Sequence, residues 1–269
     1  MNSILDILKT AAKEAGQITQ NYFEKELELN FKSSHQDLVT QADLESQKMI
    51  QQVILTKMQQ SGFKTGEVGF IGEEDLNVSG EHKFIIDPLD GTTNFSVRLD
   101  YYAISIAYSY QGEILIGVIY YPKDNIFYIA EKGKGARKEV KGVTKQLSAL
   151  IFDLKDTVVS GHFIKDPPTL GKLMEIYEKL YPQTRGLRNP GALVLDLAYF
   201  ADNIFPLIIN GGCFVWDLAA AYLIIKESGG VLVDWAGKEI EFDLEDSKKS
   251  YKIIACHPHL LPKILPLFE

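Results

Sequence analysis

Phe84-Ile85-Ile86-Asp87-Pro88-Leu89-Asp90-Gly91-Thr92-Thr93-Asn94-Phe95 is the stretch from which the rest of the chain can be read. An apolar run of buried-strand type ends in two carboxylates, Asp87 and Asp90, with Pro88 between them. Proline fixes φ and has no backbone N–H, so the strand must stop or bend there. Carboxylates that bracket such a turn can converge on one point. Converging carboxylates repel, and one keeps its proton unless a cation lies between them. Hard oxygen donors with a backbone carbonyl beside them suit Mg²⁺ or Mn²⁺. Gly91 permits close approach, and a helix starting next to it would aim N–H groups at an anion. Asp90-Gly91 alone reads as a turn. The metal reading needs more acids, and Phe70-Ile71-Gly72-Glu73-Glu74-Asp75 ends a second apolar run with three. Val215-Trp216-Asp217-Leu218 places another at a helix start, where Asp217 taken by itself is an N-cap.

Working outward, residues 3–27 show helical spacing on one apolar face (Ile4, Leu5, Leu8, Ala11, Ala12, Ala15, Ile18, Tyr22, Phe23). A second helix is expected from Thr40 to Gln59, with Leu44, Met49, Ile50 and Val53 inward and Thr40 as its cap. Val68–Ile71 and Phe84–Ile86 are buried strands. Ala103–Tyr110 and Glu113–Tyr121 form a hairpin at Gln111-Gly112, and Ile126–Ala130 extends it. The polar, Lys-rich region 133–156 marks the boundary between a half of residues 1–150 and a half of 151–269. Beyond it strands (Val158–Ser160, Ile204–Ile209, Val231–Val233, Ile253–Ala255) alternate with helices (Leu170–Leu180, Ala192–Phe200, Asp217–Ser228). Gly229-Gly230 closes the last helix. The expected class is α+β with an antiparallel sheet in the first half and alternating α/β in the second.

The 269 residues carry 28 Lys+Arg and 36 Asp+Glu, a net charge of −8, which argues against a nucleic-acid binder. An apolar fraction of 46% is that of a globular chain. Cys213 and Cys256 are too few for a disulfide scaffold or a four-cysteine zinc site, which fits a cytoplasmic setting. Asp6, Lys9, Lys13 and Glu14 interrupt the N-terminal segment too early for a secretion signal. No membrane span is expected. His35, His82, His257 and His259 lack metal-ligand spacing and are expected in loops.

Gly72-Glu73-Glu74, the Asp87–Phe95 string, Trp216-Asp217-Leu218-Ala219-Ala220-Ala221 and Glu227-Ser228-Gly229-Gly230 together resemble the inositol monophosphatase family, in order and in gaps. Lys32-Ser33-Ser34 with Asp37–Asp43 is an earlier match. The resemblance implies a layered αβαβα sandwich, a homodimer, and Mg²⁺-dependent, lithium-sensitive hydrolysis of a small phosphorylated polyol or sugar, with two or three ions and Mn²⁺ as a substitute. It implies that Glu73, Asp87 and the Leu89 carbonyl hold one ion, that Asp87, Asp90 and Asp217 hold a second, and that Glu74 assists a third through water. Asp43 and Thr92, counted with Glu73 as catalytic, would activate the attacking water. The N–H groups of Gly91 and Thr92 would bind phosphate, beside Asp90 and Asp217. Gly191, Ala192 and Asn210 would face the alcohol half, with Lys32 and His162 as further contacts. Metal ions offset the substrate's charge, acidify water and stabilise the leaving alkoxide. In-line attack without a phosphoenzyme is expected.

On the substrate side the chain departs from the family. Gly191-Ala192-Leu193-Val194 replaces the usual small hydroxyl and alanine positions, and Asn210 stands where an acid commonly meets inositol hydroxyls. A fructose-1,6-bisphosphatase therefore stays open, with Arg185 and Arg188 as groups for a second phosphate or as plain surface arginines. Thr93-Asn94-Phe95 is more typical of the inositol-phosphatase branch than of nucleotide or histidinol phosphatases. A non-catalytic phosphate-ligand binder is the alternative of another class.

Overall fold

The fold is described from a computed structural model, over residues 3–23, 29–31 and 38–269. In chain order the elements are α1 (Ile4–Phe23), β1 (Leu29–Phe31), β2 (Leu38–Thr40), α2 (Gln41–Gln60), β3 (Val68–Gly72), β4 (Leu76–Val78), β5 (His82–Asp90), α3 (Thr92–Ser96), β6 (Ala103–Tyr110), β7 (Glu113–Tyr121), β8 (Ile126–Glu131), β9 (Ala136–Val140) and β10 (Val143–Leu147). There follow β11 (Val158–His162), α4 (Pro167–Leu180), β12 (Gly186–Arg188), α5 (Leu193–Ala201), β13 (Leu207–Cys213), α6 (Val215–Glu227), β14 (Val231–Asp234), β15 (Tyr251–Cys256) and α7 (Leu261–Ile264). Lys32, His35 and the Lys32–Asp37 match lie outside the described residues, as do positions 24–27 of the first expected helix. Thr40 is described in its backbone alone, as the last residue of β2.

Two sheets alternate with three helical layers. The larger has the order β10-β9-β8-β7-β6-β5-β3-β4, the smaller β12-β11-β13-β15-β14. On one face of the larger sheet α1 and α2 pack through Ile7, Leu8, Ile50, Ile54 and Met58 against Phe84, Ile86, Ile104 and Ile106. Between the sheets lie α5 and α6, bounded by Ile85, Ala107 and Ile119 on one side and Ile208, Ile253 and Ala255 on the other. The outer face of the smaller sheet is closed by α4 and the residues around α7. The result is the αβαβα sandwich. Because both faces of α5 and α6 are covered, Leu193-Val194-Leu195 and Leu218-Ala219-Ala220-Ala221 are buried all round their helices.

Several local expectations need correction. The larger sheet is not wholly antiparallel, since β3 runs parallel to β5. In the smaller sheet β12, β11 and β13 are parallel, while β15 runs antiparallel to both of its neighbours, β13 and β14. The Lys-rich stretch is a hairpin at the edge of the larger sheet, β9–β10, in keeping with its solvated, charged pattern, and the chain crosses to the second sheet after Leu147. In α2 the inward face is Ala42, Asp43, Ser46, Gln47, Ile50, Ile54 and Met58. Leu44 is 37% exposed, because polar residues on the buried face serve the site rather than the core. His82 starts β5 and stacks on Tyr108 and Tyr110 instead of lying in a loop. Asp217 is not the N-cap of α6. Phe214 is, and Asp217 sits three residues in.

The larger sheet shapes the site at one point. Between Asp87, opposite Ser105, and Asp90, opposite Ala103, the β5–β6 register shifts by one residue. Pro88 offers no N–H to the ladder, and the bulge lets β5 end with both carboxylates turned toward α5 and α6.

Candidate active site

Asp87 is the centre of the acid cluster and is 1% exposed. Burial drives its carboxyl well above the usual range, and the charges of Glu73, Asp90, Asp217 and Asp43, in that order, add to the rise. Its Oδ1 accepts the Leu89 N–H at 3.0 Å, which fixes the turn through Pro88. Asp87 also shares a hydrogen bond with Asp217. Two carboxyls can share one only if one of them holds a proton.

Asp90 ends β5 and reaches across to α5. Its oxygens accept the N–H groups of Leu193 at 3.1 Å, Val194 at 2.8 Å and Leu195 at 3.4 Å, so it caps that helix from outside. Burial, then the charges of Asp217 and Asp196, still raise its carboxyl well above the ordinary value. Asp217 accepts the Phe214 N–H at 2.6 Å and closes the first turn of α6. Burial pushes it up to about 6, against the pull of that N–H, of Asp87 and of a charge on His162.

A second group of acids comes from α2 and the β3–β4 turn. One oxygen from each of Asp43, Glu73 and Glu74 lies within 4.8 Å of the others. Gln47 holds this turn: its Nε2 donates to Glu74 O at 3.0 Å and its Oε1 accepts the Glu74 N–H at 3.3 Å. Thr92, in the first turn of α3, joins the two groups. Its Oγ lies 3.1 Å from Leu89 O and 3.5 Å from Asp43 Oδ2. Gly91 sits before it at φ 92°, and a Cβ there would be 2.9 Å from Tyr101 O, so glycine is required on both counts.

The donor set fits a divalent cation. It is all oxygen, it is anionic, and its central member is buried among like charges, a state that a cation relieves and a proton relieves only in part. Among the described residues the acids whose oxygens converge closely enough to hold an ion are Asp43, Glu73 and Glu74, next to the buried group of Asp87, Asp90 and Asp217 that the sequence reading expected as ligands.

On the other wall, Asn94 ties α3 to the loop before α5 by donating to Tyr101 O at 2.9 Å and Pro190 O at 2.8 Å. Gly191 is exposed, while Ala192 is the buried N-cap of α5. Asn210 on β13 is buried, with Oδ1 accepting the Gly212 N–H at 2.6 Å. Arg185 and Arg188 are exposed. Cys213 is a buried thiol against Tyr251 O.

Three contributors were not anticipated from sequence: Asp196, Ser160 and Tyr101. Asp196 is fully buried on α5 and accepts from the Tyr101 hydroxyl, from Ser160 Oγ at 2.5 Å and from His162 Nε2 at 2.8 Å. The available signal was a single acid inside Leu193-Val194-Leu195-Asp196-Leu197-Ala198. A carboxylate there must have partners.

Comparison with known proteins places this geometry. The model of the inositol monophosphatase family matches residues 1–269. Human inositol monophosphatase 1 is 30% identical over 266 residues, covering 96% of this chain and 90% of its own. The solved extragenic suppressor protein suhB of Bartonella henselae superposes with a TM-score of 0.86 at 29% identity, over 100% of this chain and 99% of that one. A solved inositol monophosphatase-fructose 1,6 bisphosphatase superposes at 0.81 with 25% identity, over 99% and 100%. Among the described residues no helix is long and apolar enough to cross a membrane.

Proposed function

The chain belongs to the inositol monophosphatase family of phosphatases, and from that premise we propose that it hydrolyses a small polyol phosphate monoester with Mg²⁺ held at Glu73, Asp87, the Leu89 carbonyl, Asp90 and Asp217. The family is metal-dependent and acts on phosphorylated small molecules. One observation carries the finer reading: Asp87 is buried against four other acids, an arrangement that a cation makes stable.

When bound, Mg²⁺ would offset the charge of the phosphate dianion, lower the pKa of water and stabilise the leaving alkoxide. The chain's own groups supply positioning and proton handling. Thr92 Oγ has one proton to give, to Leu89 O or Asp43 Oδ2, and keeps lone pairs that accept from the attacking water. Asp43 Oδ2 is the base that takes the proton relayed through Thr92. The first N–H groups of α3, beside Gly91, face the phosphate oxygens. With water activated in this way no protein nucleophile is needed, and this set contains no Cys or Ser, so direct attack by water without a phosphoprotein is the expected course.

The test is phosphate release by the purified protein with Mg²⁺, against an EDTA control, from inositol 1-phosphate, fructose 1,6-bisphosphate, adenosine 3′,5′-bisphosphate and histidinol phosphate. Metal-dependent release led by inositol 1-phosphate is expected. Release led by the fructose compound would favour the second reading, a bisphosphatase, which the solved relative of that description supports. No release from any of them by folded, metal-loaded protein would favour a binding protein.

A further inference from the structure

Gln47 pairs with Glu74 as one strand residue pairs with another. Its side-chain Nε2 donates to Glu74 O at 3.0 Å, and its Oε1 accepts the Glu74 N–H at 3.3 Å. The two residues exchange both hydrogen bonds, the pattern of a hydrogen-bonded pair in an antiparallel ladder, with a side-chain amide in place of a peptide. Glu74 presents one backbone donor and one acceptor, so only one orientation of the amide meets both. Gln47 is nearly buried on the inward face of α2, 6% exposed.

Two further features are built around this pair. Gly72, the last residue of β3, leaves room for the amide: a Cβ there would lie 2.6 Å from Gln47 Oε1. Its backbone is outside the left-handed region, so space is the reason for glycine at that point. Asp43 lies one helical turn before Gln47 on the same buried face, with Oδ2 3.5 Å from Thr92 Oγ. One oxygen from each of Asp43, Glu73 and Glu74 lies within 4.8 Å of the others. Carboxylates at that spacing repel. The Gln47 amide is a neutral contact that holds the turn bearing two of them to the helix bearing the third.

Resting on the reading of a metal-dependent phosphatase, we propose that Gln47 is a positioning residue of the metal centre. Through the Glu74 backbone it sets the distance from Asp43 to Glu73 and Glu74, and with it the grip of that side of the cluster on Mg²⁺. Both polar atoms of Gln47 are spent on Glu74, so it acts through the ligands and not on the ion. Groups that orient ligands in this way typically carry about tenfold to a hundredfold of a metal's affinity. Asp87, Asp90 and Asp217 are held by N–H groups of Leu89, Val194 and Phe214, so loss of Gln47 loosens one side of the cluster and leaves the other in place.

The experiment takes the full chain as wild type, Gln47→Ala, Gly72→Ala and the double variant. It measures isothermal titration with Mg²⁺ alone, phosphate release from inositol 1-phosphate across a range of Mg²⁺, and melting in EDTA. Gln47→Ala is expected to weaken Mg²⁺ binding about tenfold or more, and to raise the Mg²⁺ needed for half-maximal turnover by the same factor. At saturating Mg²⁺ its kcat and its KM for the ester should recover. Gly72→Ala pushes the amide off Glu74 and should shift Mg²⁺ binding in the same direction. In the Gln47→Ala background there is no amide to displace, so it should add almost nothing, which a general loss of stability would not produce. Variants that melt lower in EDTA yet bind Mg²⁺ as the wild type does, or effects that simply add, overturn the proposal. Should Gln47→Ala not fold, Gly72→Ala must weaken Mg²⁺ binding by itself, and an unchanged affinity there overturns it equally. Weakened Mg²⁺ binding in a chain whose wild type releases no phosphate sustains the role of Gln47 and sinks the phosphatase reading. A wild type that binds no Mg²⁺ overturns both.

Discussion

Asp217→Asn should make the protein more stable in EDTA at pH 8 while abolishing its turnover. The carboxyl of Asp217 is pushed up to about 6 from an ordinary 3.8, first by burial. The folded state therefore binds more protons than the unfolded one between those values, and stability falls as pH rises through that window. Above it the whole cost is present, up to about 3 kcal/mol at about 1.4 kcal/mol per pKa unit. Asparagine carries no charge to lose. Its Oδ1 can still accept the Phe214 N–H, and its amide can donate to Asp87, where the native pair needs a proton. The variant should melt up to about 10 °C higher than wild type at pH 8, at roughly 2–4 °C per kcal/mol. The gap should close toward pH 4. Saturating Mg²⁺ should reverse the order, because only the wild type keeps the full ligand set and gains stability by binding. Thermal melts of both proteins from pH 4 to 8, with EDTA and with Mg²⁺, decide it. A gap that ignores pH, or a variant that is the less stable protein in EDTA at pH 8, would refute the reasoning.

Asp90→Asn should behave differently. Both Asp90 oxygens accept N–H groups of α5, and an amide nitrogen facing one of them leaves a buried donor unmet, at about 1–3 kcal/mol of stability. Turnover should also fall by about a thousandfold, some 4 kcal/mol; melting and phosphate release measure the two losses. Thr92→Val keeps the shape and removes the hydroxyl, and should lower kcat by about a hundredfold or more with little change in melting. Gly91→Ala meets both a left-handed φ and Tyr101 O at 2.9 Å, so it should cost about 1–3 kcal/mol in a denaturant titration and misplace Thr92.

The parts of this fold that could be read in advance are those whose burial is one-sided. The first helix shows its apolar face directly, and the β6–β7 hairpin announces itself at Gln111-Gly112. The buried face of α2 could not be read as a core face, because Asp43, Ser46 and Gln47 occupy it. Two of the three work in the site, Asp43 beside Thr92 and Gln47 on the Glu74 backbone. The parallel placement of β3 beside β5 is a matter of topology, and the short β4 turn between them does not reveal it. The site was legible where chemistry is local. Asp87 and Asp90 lie three apart on one bulge, whereas Asp196 meets His162, Ser160 and Tyr101 from three separate elements, with nothing in their spacing to join them.

Helix N-termini decide whether such a cluster can exist without a cation. Asp90 accepts the first N–H groups of α5 and Asp217 accepts the N–H at the head of α6, so two positive helix ends point into the same acids. Each contributes about 0.3–1 kcal/mol, and up to about 2 in a partly buried site. Against them stands up to about 3 kcal/mol for Asp217 alone, from its rise to about 6. Asp87 and Asp90 are raised as well, Asp90 despite its N–H groups from α5. The helix ends thus lessen the repulsion without cancelling it. The remainder falls to a proton shared between Asp87 and Asp217 or to a divalent ion, and above pH 6 the proton becomes the weaker competitor. Metal affinity should accordingly rise between pH 5 and pH 8, by more than tenfold if each ion displaces one such proton. Isothermal titration with Mg²⁺ across that range would measure it, and a flat affinity would mean that the acids are already ionised before the ion arrives.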